Sequence, residues 1–321
     1  MKFEISVPAT LSNFGPGFDT LGMAIDRHLK VKFESSPDII KNEFIVSGDY
    51  KTGMPLGAAN IIFAAAEKHF KTPFRISMHN DIPLKRGLGS SSAANAVAIT
   101  LAKIFEMASV EKLNEMDTAS LVEFIRPKVY NEAIAAEGHP DNITPCLFGG
   151  FVAARIDNGE GAFLNIPFPA GMKLHIMIPE IEVETRMARK ILPDSYKLAD
   201  VVKNLQNLSC MVAEFCLNAK DGQTLPIFSN LKSLLSERIH EQYRLNLCPT
   251  CAEVIKSLNS CDNIYGAFLS GSGTTICAIA SDDVSREINN ALHIFSAQNV
   301  EVKYHVHGIE YSGLKLRKGD F

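Results

Sequence analysis

The chain has 321 residues, 46% hydrophobic and 21% charged, the balance of an ordinary globular enzyme with a large buried core in one large or two medium domains. Its formal net charge of −4, with acids and bases interspersed, excludes the basic footprint of a nucleic-acid binder. No apolar run is long enough to span a membrane, which excludes a membrane protein of the helical kind. The opening MKFEISVPAT alternates apolar and polar residues and lacks the unbroken apolar stretch of an export signal, so a cytoplasmic location is expected.

The pattern begins with a strand over residues 2–8, followed by a Gly/Pro loop, ATLSNFGPGFDTLG. Ile61, Ile62, Ala65 and Ala66 form one apolar stripe, which predicts a helix over 58–70. FRISMHN alternates as a half-buried strand. PLKRGLGSSSAANAVAITLA then leads through glycines and serines into a helix ending near Met107. A further helix is expected over 118–137, kinked or split at Pro127 because proline lacks the N–H that a helix interior uses. GHPDNITPCLFGGF is a loop that enters a strand at Gly150.

After FPAG (168–171) the pattern restarts, which divides the chain into 1–167 and 168–321. KLHIMIP reads as a strand and ETRMARKILP as a helix stopped by Pro193. Helical spacing recurs over 196–219 and 250–259. YGAFLSGSGTTICAIA reads as strand, glycine turn, strand. DDVSREINNALHIFSAQ is an amphipathic helix with acids near its start, and EVKYHVH is a last strand. Mixed strands and helices of this kind indicate an α+β fold in two parts.

Cysteine usage adds little. Seven scattered cysteines fit no disulfide framework. Cys248-Pro-Thr-Cys251 has CxxC spacing without a second ligand pair for zinc or a thioredoxin-like setting, so incidental thiols are expected. His305 and His307 share one face of a strand, with a solvated edge the expected setting.

The serine run is the informative segment. The first turn of a helix leaves N–H groups unpaired and carries partial positive charge. Gly87 and Gly89 adopt unusual backbone angles at little cost and let an anion approach. Ser90, Ser91 and Ser92 supply hydroxyls for capping, phosphate or a metal ion. Lys85 and Arg86 add positive charge beside them. A plain turn with a serine cap accounts for any one of these features; their order together describes a phosphate cradle. The Walker P-loop and the protein-kinase signatures are absent.

PLKRGLGSSSAA resembles the P-x-x-x-G-L-G-S-S-x-A phosphate loop of the GHMP kinases. VPATLSNFGPGFDTLGMAID is similar to the first motif of that family, and AFLSGSGTTICAIA to its glycine-rich third motif. The three stand in the family's order and span nearly the whole chain. Within the superfamily, PATLSNFGPGFDTLG and NEAIAAEGHPDNITPCLFGGF resemble the homoserine kinase branch. The resemblance implies a nucleotide-binding domain like the second domain of ribosomal protein S5 over 1–167 and a ferredoxin-like domain over 168–321. It also implies ATP-dependent phosphorylation of L-homoserine to O-phospho-L-homoserine in threonine biosynthesis. Family members are often dimers, so a homodimer is implied as well.

Site residues follow from the same resemblance. Gly87, Gly89, Ser90, Ser91 and Ser92 would wrap the triphosphate, with Leu88 in the same loop, Lys85 and Arg86 adding charge just outside it, and Gly271, Ser272 and Gly273 pressing against it. Ser91 and Glu132 would hold Mg²⁺, an ion that takes hard oxygen ligands and keeps several waters. Asn60 would lie near the nucleotide, although capping the helix it precedes accounts for it equally well. Asn13, Asp19, His139, Thr185, Arg189 and Arg244 would bind the amino-acid acceptor, the arginines suiting its carboxylate. Asp141, Asn142 and Arg189 would stand at the reaction itself.

Two positions depart from the family pattern. Thr274 stands where proline or alanine-proline is usual, which is expected to free that loop. Asn142 stands where other GHMP kinases carry an aspartate. An amide cannot accept a proton as a carboxylate does, so transfer without a dedicated protein base is expected. The competing readings are a mevalonate- or shikimate-like GHMP kinase, which GHPDN and the opening loop oppose, and a non-catalytic nucleotide sensor, which retained metal ligands oppose.

Overall fold

The computed structural model describes residues 1–107, 117–169, 171–221, 230–280 and 283–319. Two sheets organise it. The first has seven strands: β1 (Lys2–Ser12), β2 (Leu21–Glu34), β3 (Glu43–Ser47), β4 (Arg75–Asn80), β5 (Phe151–Asp157), β6 (Glu160–Ile166) and β11 (Lys315–Lys318). Its main path runs β11-β1-β2-β4-β3, with β5 also on β2 and β6 on β5. Every pairing is antiparallel except β3 with β4. The second sheet, β7 (Lys173–Pro179), β8 (Ile264–Leu269), β9 (Ile276–Ala280) and β10 (Val302–His307), is antiparallel in the order β10-β7-β9-β8.

The helices are α1 (Ile61–His69), α2 (Ser90–Met107), α3 (Thr118–Glu137) and α4 (Ile143–Phe148), then α5 (Thr185–Lys190), α6 (Leu198–Asp221), α7 (Leu231–Leu234), α8 (Glu241–Arg244), α9 (Pro249–Asn259) and α10 (Ser285–Ala297). The first four cover one face of the first sheet. Alternate residues of β2 show why: Phe33, Val31 and Leu29 are buried, whereas Lys30 is exposed on the open face. Among the described residues, no helix is long and apolar enough to cross a membrane. The α+β reading holds, and β11 returns the chain from the second part to pair with β1.

Several expectations are revised. β1 continues to Ser12, and β2 is a long strand outside the expected set: its first half, Leu21–Ile25, is buried on both faces and shows no alternation, although Leu29–Glu34 does alternate. β3, β6 and β11 were equally unmarked. α3 runs unbroken through Pro127; Pro127 and Glu123 are exposed, so water can serve the carbonyl that proline leaves unbonded. Asp282, one of the acids expected near the start of α10, lies outside the described residues, as does Ala170 of the FPAG boundary. Val284 holds the α10 N-cap position without a side-chain bond.

Cys248 and Cys251 form a disulfide rather than two incidental thiols. Cys248 is the N-cap of α9, and the first helical turn brings the two Cα atoms to 5.3 Å, within bonding reach. His305 and His307 are half-buried rather than solvated, their rings 5.8 Å apart and their Nε2 atoms enclosed. Burial and the nearby Arg27 charge lower both, His307 to about 4.

Phe14, fully buried, joins the two sheets: its ring lies 4.8 Å from Phe151 on β5 and 4.4 Å from Phe268 on β8. Phe215 of α6 meets it edge-on at 6.2 Å. Phe14→Ala is expected to cost about 3–5 kcal/mol through lost contacts and a cavity. Urea denaturation checks this, and a loss well under about 1 kcal/mol would show that Phe14 does not join the two halves.

Candidate active site

A cleft of about 320 Å³ opens between the two sheets. At one end stands the N-terminus of α2. Gly87 (φ +77°) and Gly89 (φ +69°) occupy left-handed backbone angles. Close packing also demands them: a Cβ at Gly87 would overlap the Ser270 carbonyl oxygen, and one at Gly89 the Thr10 hydroxyl. Their smallness therefore serves close packing within the chain as much as anion approach. Ser270 Oγ donates to the Gly87 carbonyl at 2.6 Å, and Thr275 N–H donates to the Arg86 carbonyl at 3.0 Å. The third glycine-rich motif is thereby bonded to the serine loop.

Ser90, Ser91 and Ser92 line the cleft in the first turn of α2, which holds no acidic residue. Ser92 Oγ donates to Glu137 Oε2 at 2.6 Å, and Asn95 Nδ2 to Glu137 Oε1 at 3.1 Å. Burial pushes the Glu137 carboxyl above the usual carboxylate range, while these two hydrogen bonds pull it down. The Glu137 carboxylate and the Ser91 hydroxyl line the same cleft and are hard oxygen donors of the type Mg²⁺ takes. Lys85 also lines the cleft, its ammonium 3.6 Å from Glu182 and 3.4 Å from Glu184.

Glu132 does not belong to this end. It sits on the outer side of α3, half-exposed, with its carboxylate 2.6 Å from Lys103 Nζ. Helical spacing explains the exchange. Tyr130, Ala133, Ile134 and Glu137 follow one another at intervals of three, one and three along the inward face, and Glu132 lies off it. Counting that face in the sequence would have selected Glu137, which the sequence reading missed along with Ser12, Asn95 and Ala136.

Four other expected nucleotide residues stand outside the cleft lining. Arg86 is buried and turned to the second sheet, donating to the Pro179 carbonyl at 3.2 Å and pairing with Glu180 at 2.5 Å. Leu88 is core, its carbonyl accepting from Thr10 N–H. Asn60 caps α1, accepting from Ile62 N–H at 3.0 Å and donating to the Pro55 carbonyl at 3.1 Å. Gly273 donates its N–H to the Ser270 carbonyl inside the turn, while Gly271 and Ser272 do reach the cleft. Thr274 is buried, with its hydroxyl donating to the Ile181 carbonyl at 2.6 Å. That bond anchors the loop instead of freeing it.

The other end is built by three elements. Asn13 and Asp19 take left-handed angles (φ 56° and 52°) in the loop after β1. Asn13 Oδ1 accepts from Asp19 N–H, and its Nδ2 donates to the Gly271 carbonyl. Arg189 of α5 grips Asp19 with both terminal nitrogens, at 3.0 and 2.8 Å. Arg244 of α8 is buried and donates to the carbonyls of Ala188 at 3.3 Å and Gly271 at 2.6 Å. Burial lowers its guanidinium to about 10. Thr185, at the start of α5, also lines this end.

Between the ends lie His139, Asp141 and Asn142. His139 Nδ1 and Asp141 Oδ1 are 2.7 Å apart. Asn142 is committed on both sides: its Oδ1 accepts from Thr10 Oγ1 at 2.8 Å and its Nδ2 donates to Ser12 Oγ at 2.9 Å. The hydrogen bond to Asp141 raises His139 above its ordinary value. Its stabilising contribution is therefore complete below about pH 6.5 and is lost as pH rises through the raised value. The melting-temperature gap between the wild type and His139→Gln should narrow as pH rises from about 5.5 to about 8.5. A gap that widens over that range would contradict the pairing.

Comparison with known proteins agrees with this geometry. The GHMP kinases N terminal domain matches residues 44–150, and the GHMP kinases C terminal domain matches residues 216–296. A homoserine kinase of Aliarcobacter butzleri is 34% identical over 294 residues, covering 90% of this chain and 92% of its own. One from Schizosaccharomyces pombe is 28% identical, covering 98% and 99%. The crystal structure of homoserine kinase from Cytophaga hutchinsonii superposes with a TM-score of 0.76 at 26% identity, covering 98% and 97%. A mevalonate kinase structure, at 16% identity and a TM-score of 0.56, shares the fold. With the serine loop, the third glycine motif and the arginine pair in one cleft, the chain belongs to the homoserine kinases of the GHMP kinase superfamily.

Proposed function

We propose that this protein transfers the γ-phosphoryl group of ATP to the side-chain hydroxyl of L-homoserine, giving ADP and O-phospho-L-homoserine. The observation that carries the reading is the polarity of one cleft. An open helix N-terminus with three serines and a buried carboxylate occupies one end, and an arginine pair organised around Asp19 occupies the other. The first suits a triphosphate and the second suits an amino acid's charged groups.

The N–H groups of the first turn of α2 and the hydroxyls of Ser90 and Ser91 bind phosphate oxygens, and Lys85 adds charge at the rim. Ser91 and Glu137 would hold Mg²⁺, which would neutralise charge on the phosphates. Asp19 takes the acceptor's ammonium, while Arg189 and Arg244 take its carboxylate. The acceptor oxygen then bonds to the γ-phosphorus as the bond to the β–γ bridging oxygen breaks.

Among the described residues, none serves as a dedicated base. The Asn142 oxygen is occupied by Thr10, and Asp19 and Asp141 each face a cationic or protonatable partner, Arg189 and His139. A loose phosphoryl transition state needs little early deprotonation. The hydroxyl proton leaves late, to a transferred phosphoryl oxygen and then to water. Asn142 contributes by holding Ser12 and Thr10 in place rather than by taking the proton.

ADP release with Mg-ATP should be rapid with L-homoserine and slow with L-serine, L-threonine, mevalonate and shikimate. Asn13→Ala should abolish it. Preference for mevalonate or shikimate would overturn the acceptor assignment, and ATP binding without turnover on any alcohol would indicate a sensor. Glu137→Gln is expected to lower kcat by about 100-fold or more, with Mg²⁺ affinity falling in parallel, whereas Glu132→Gln should change it by less than about twofold. The reverse ranking would return the metal site to Glu132. Asn142→Asp should leave the single-turnover rate no faster; a large acceleration would show that a base is wanted there.

A further inference from the structure

Three elements that carry the acceptor end meet on one aromatic ring. Phe18 precedes Asp19 in the loop after β1. The Arg189 guanidinium carbon, from α5, lies 5.5 Å from its ring centre, and that of Arg244, from α8, lies 5.2 Å away. The His240 ring is stacked on it at 5.2 Å with an interplanar angle of 25°. We infer that Phe18, backed by His240, is a positioning residue that gathers Arg189 and Arg244 into a single subsite for the acceptor's carboxylate. This rests on the acceptor assignment proposed above.

Two neighbouring guanidinium groups repel each other, so their convergence needs a holder. Asp19 holds Arg189 by both terminal nitrogens but makes no hydrogen bond to Arg244. Arg244 is fixed through Nε and one terminal nitrogen to two backbone carbonyls. Its second terminal nitrogen makes no hydrogen bond among the described residues and remains a donor for a ligand. An aromatic face attracts both cations without using any of their N–H donors, which a carboxylate or carbonyl would consume. Phe18 can therefore align the pair and still leave donors for substrate.

His240 completes the platform. It lies one turn before Arg244 and is almost fully buried, its Nδ1 3.5 Å from an Arg244 terminal nitrogen and its Nε2 3.8 Å from the Glu237 carboxylate. Burial and the Arg244 charge push its ring well below the ordinary imidazole value, which opposes a third cation at Phe18. Glu237 fixes the start of this turn by accepting the backbone N–H groups of Ile239, His240 and Glu241.

The test compares acceptors with and without the carboxylate, using L-homoserine and 3-aminopropan-1-ol with saturating Mg-ATP, in the wild type, Phe18→Leu and Phe18→Tyr. Phe18→Leu should raise the KM for L-homoserine about tenfold, with the KM for ATP and kcat within about twofold. Its kcat/KM for 3-aminopropan-1-ol should be nearly unchanged, so the preference for the carboxylate-bearing acceptor shrinks about tenfold. Phe18→Tyr, which keeps the aromatic face, should behave as the wild type. If Phe18→Leu weakens both acceptors and ATP alike, or if Tyr and Leu are equally impaired, the ring is only structural and the inference fails while homoserine phosphorylation stands. A wild type that does not turn over L-homoserine, or shows no preference for the carboxylate, overturns the acceptor assignment and this inference together.

Discussion

The interlock between residues 85–89 and residues 270–275 is the constraint on which the rest of the site depends. Backbone meets backbone there at distances that only glycine permits, with the Gly87 carbonyl accepting from the Ser270 hydroxyl and the Arg86 carbonyl from Thr275 N–H. The same junction includes the segment after β7, through the Thr274 hydroxyl on Ile181, Val183 N–H on the Lys85 carbonyl, and Arg86 on Pro179 and Glu180. These bonds fix where the α2 N-terminus points relative to the second sheet. A phosphate cradle at a helix end is useful only if its direction is set.

The junction also ties the phosphate end to the acceptor end. The segment 179–184 leads directly into α5, which carries Thr185 and Arg189, and the Gly271 carbonyl accepts from both Asn13 and Arg244. One glycine turn thus touches the serine loop on one side and the acceptor arginine on the other. Each contact has a buried residue on at least one side, so loosening any one leaves a buried polar group short of a partner, and that cost favours keeping the set together.

Much of this was legible in the residues. The serine run, the glycine turn between strands and the GHPDN loop mark chemistry because those residue types have few structural uses in that order. Asn13, Asp19, His139, Asp141, Asn142, Arg189 and Arg244 do converge on the cleft. The failures have definite causes. Glu132 and Glu137 are both glutamates on one helix, and only the helical face separates them. Arg86 reads as a phosphate ligand by charge, but its side chain is consumed by Pro179 and Glu180, contacts more than ninety positions away in the chain. Long-range partners of this kind leave no local pattern. Only the first half of β2 is hidden, because burial on both faces erases alternation over Leu21–Ile25, whereas Leu29, Val31 and Phe33 alternate with Lys30, Lys32 and Glu34 and were legible as a strand; the Cys248–Cys251 bond depends on the start of α9 bringing the two Cα atoms together.

The central claim is that one cleft holds the nucleotide's phosphates and the amino acid together, head to tail. A crystal structure with a non-hydrolysable ATP analogue, Mg²⁺ and L-homoserine tests it most directly. The expected result has the γ-phosphate over the first turn of α2, Mg²⁺ between Ser91 and Glu137, and the acceptor carboxylate on Arg189 and Arg244 with its hydroxyl turned to the γ-phosphorus. Triphosphate density away from Ser90–Ser92, or an acceptor bound outside the Asp19–Arg189–Arg244 group, would contradict the account.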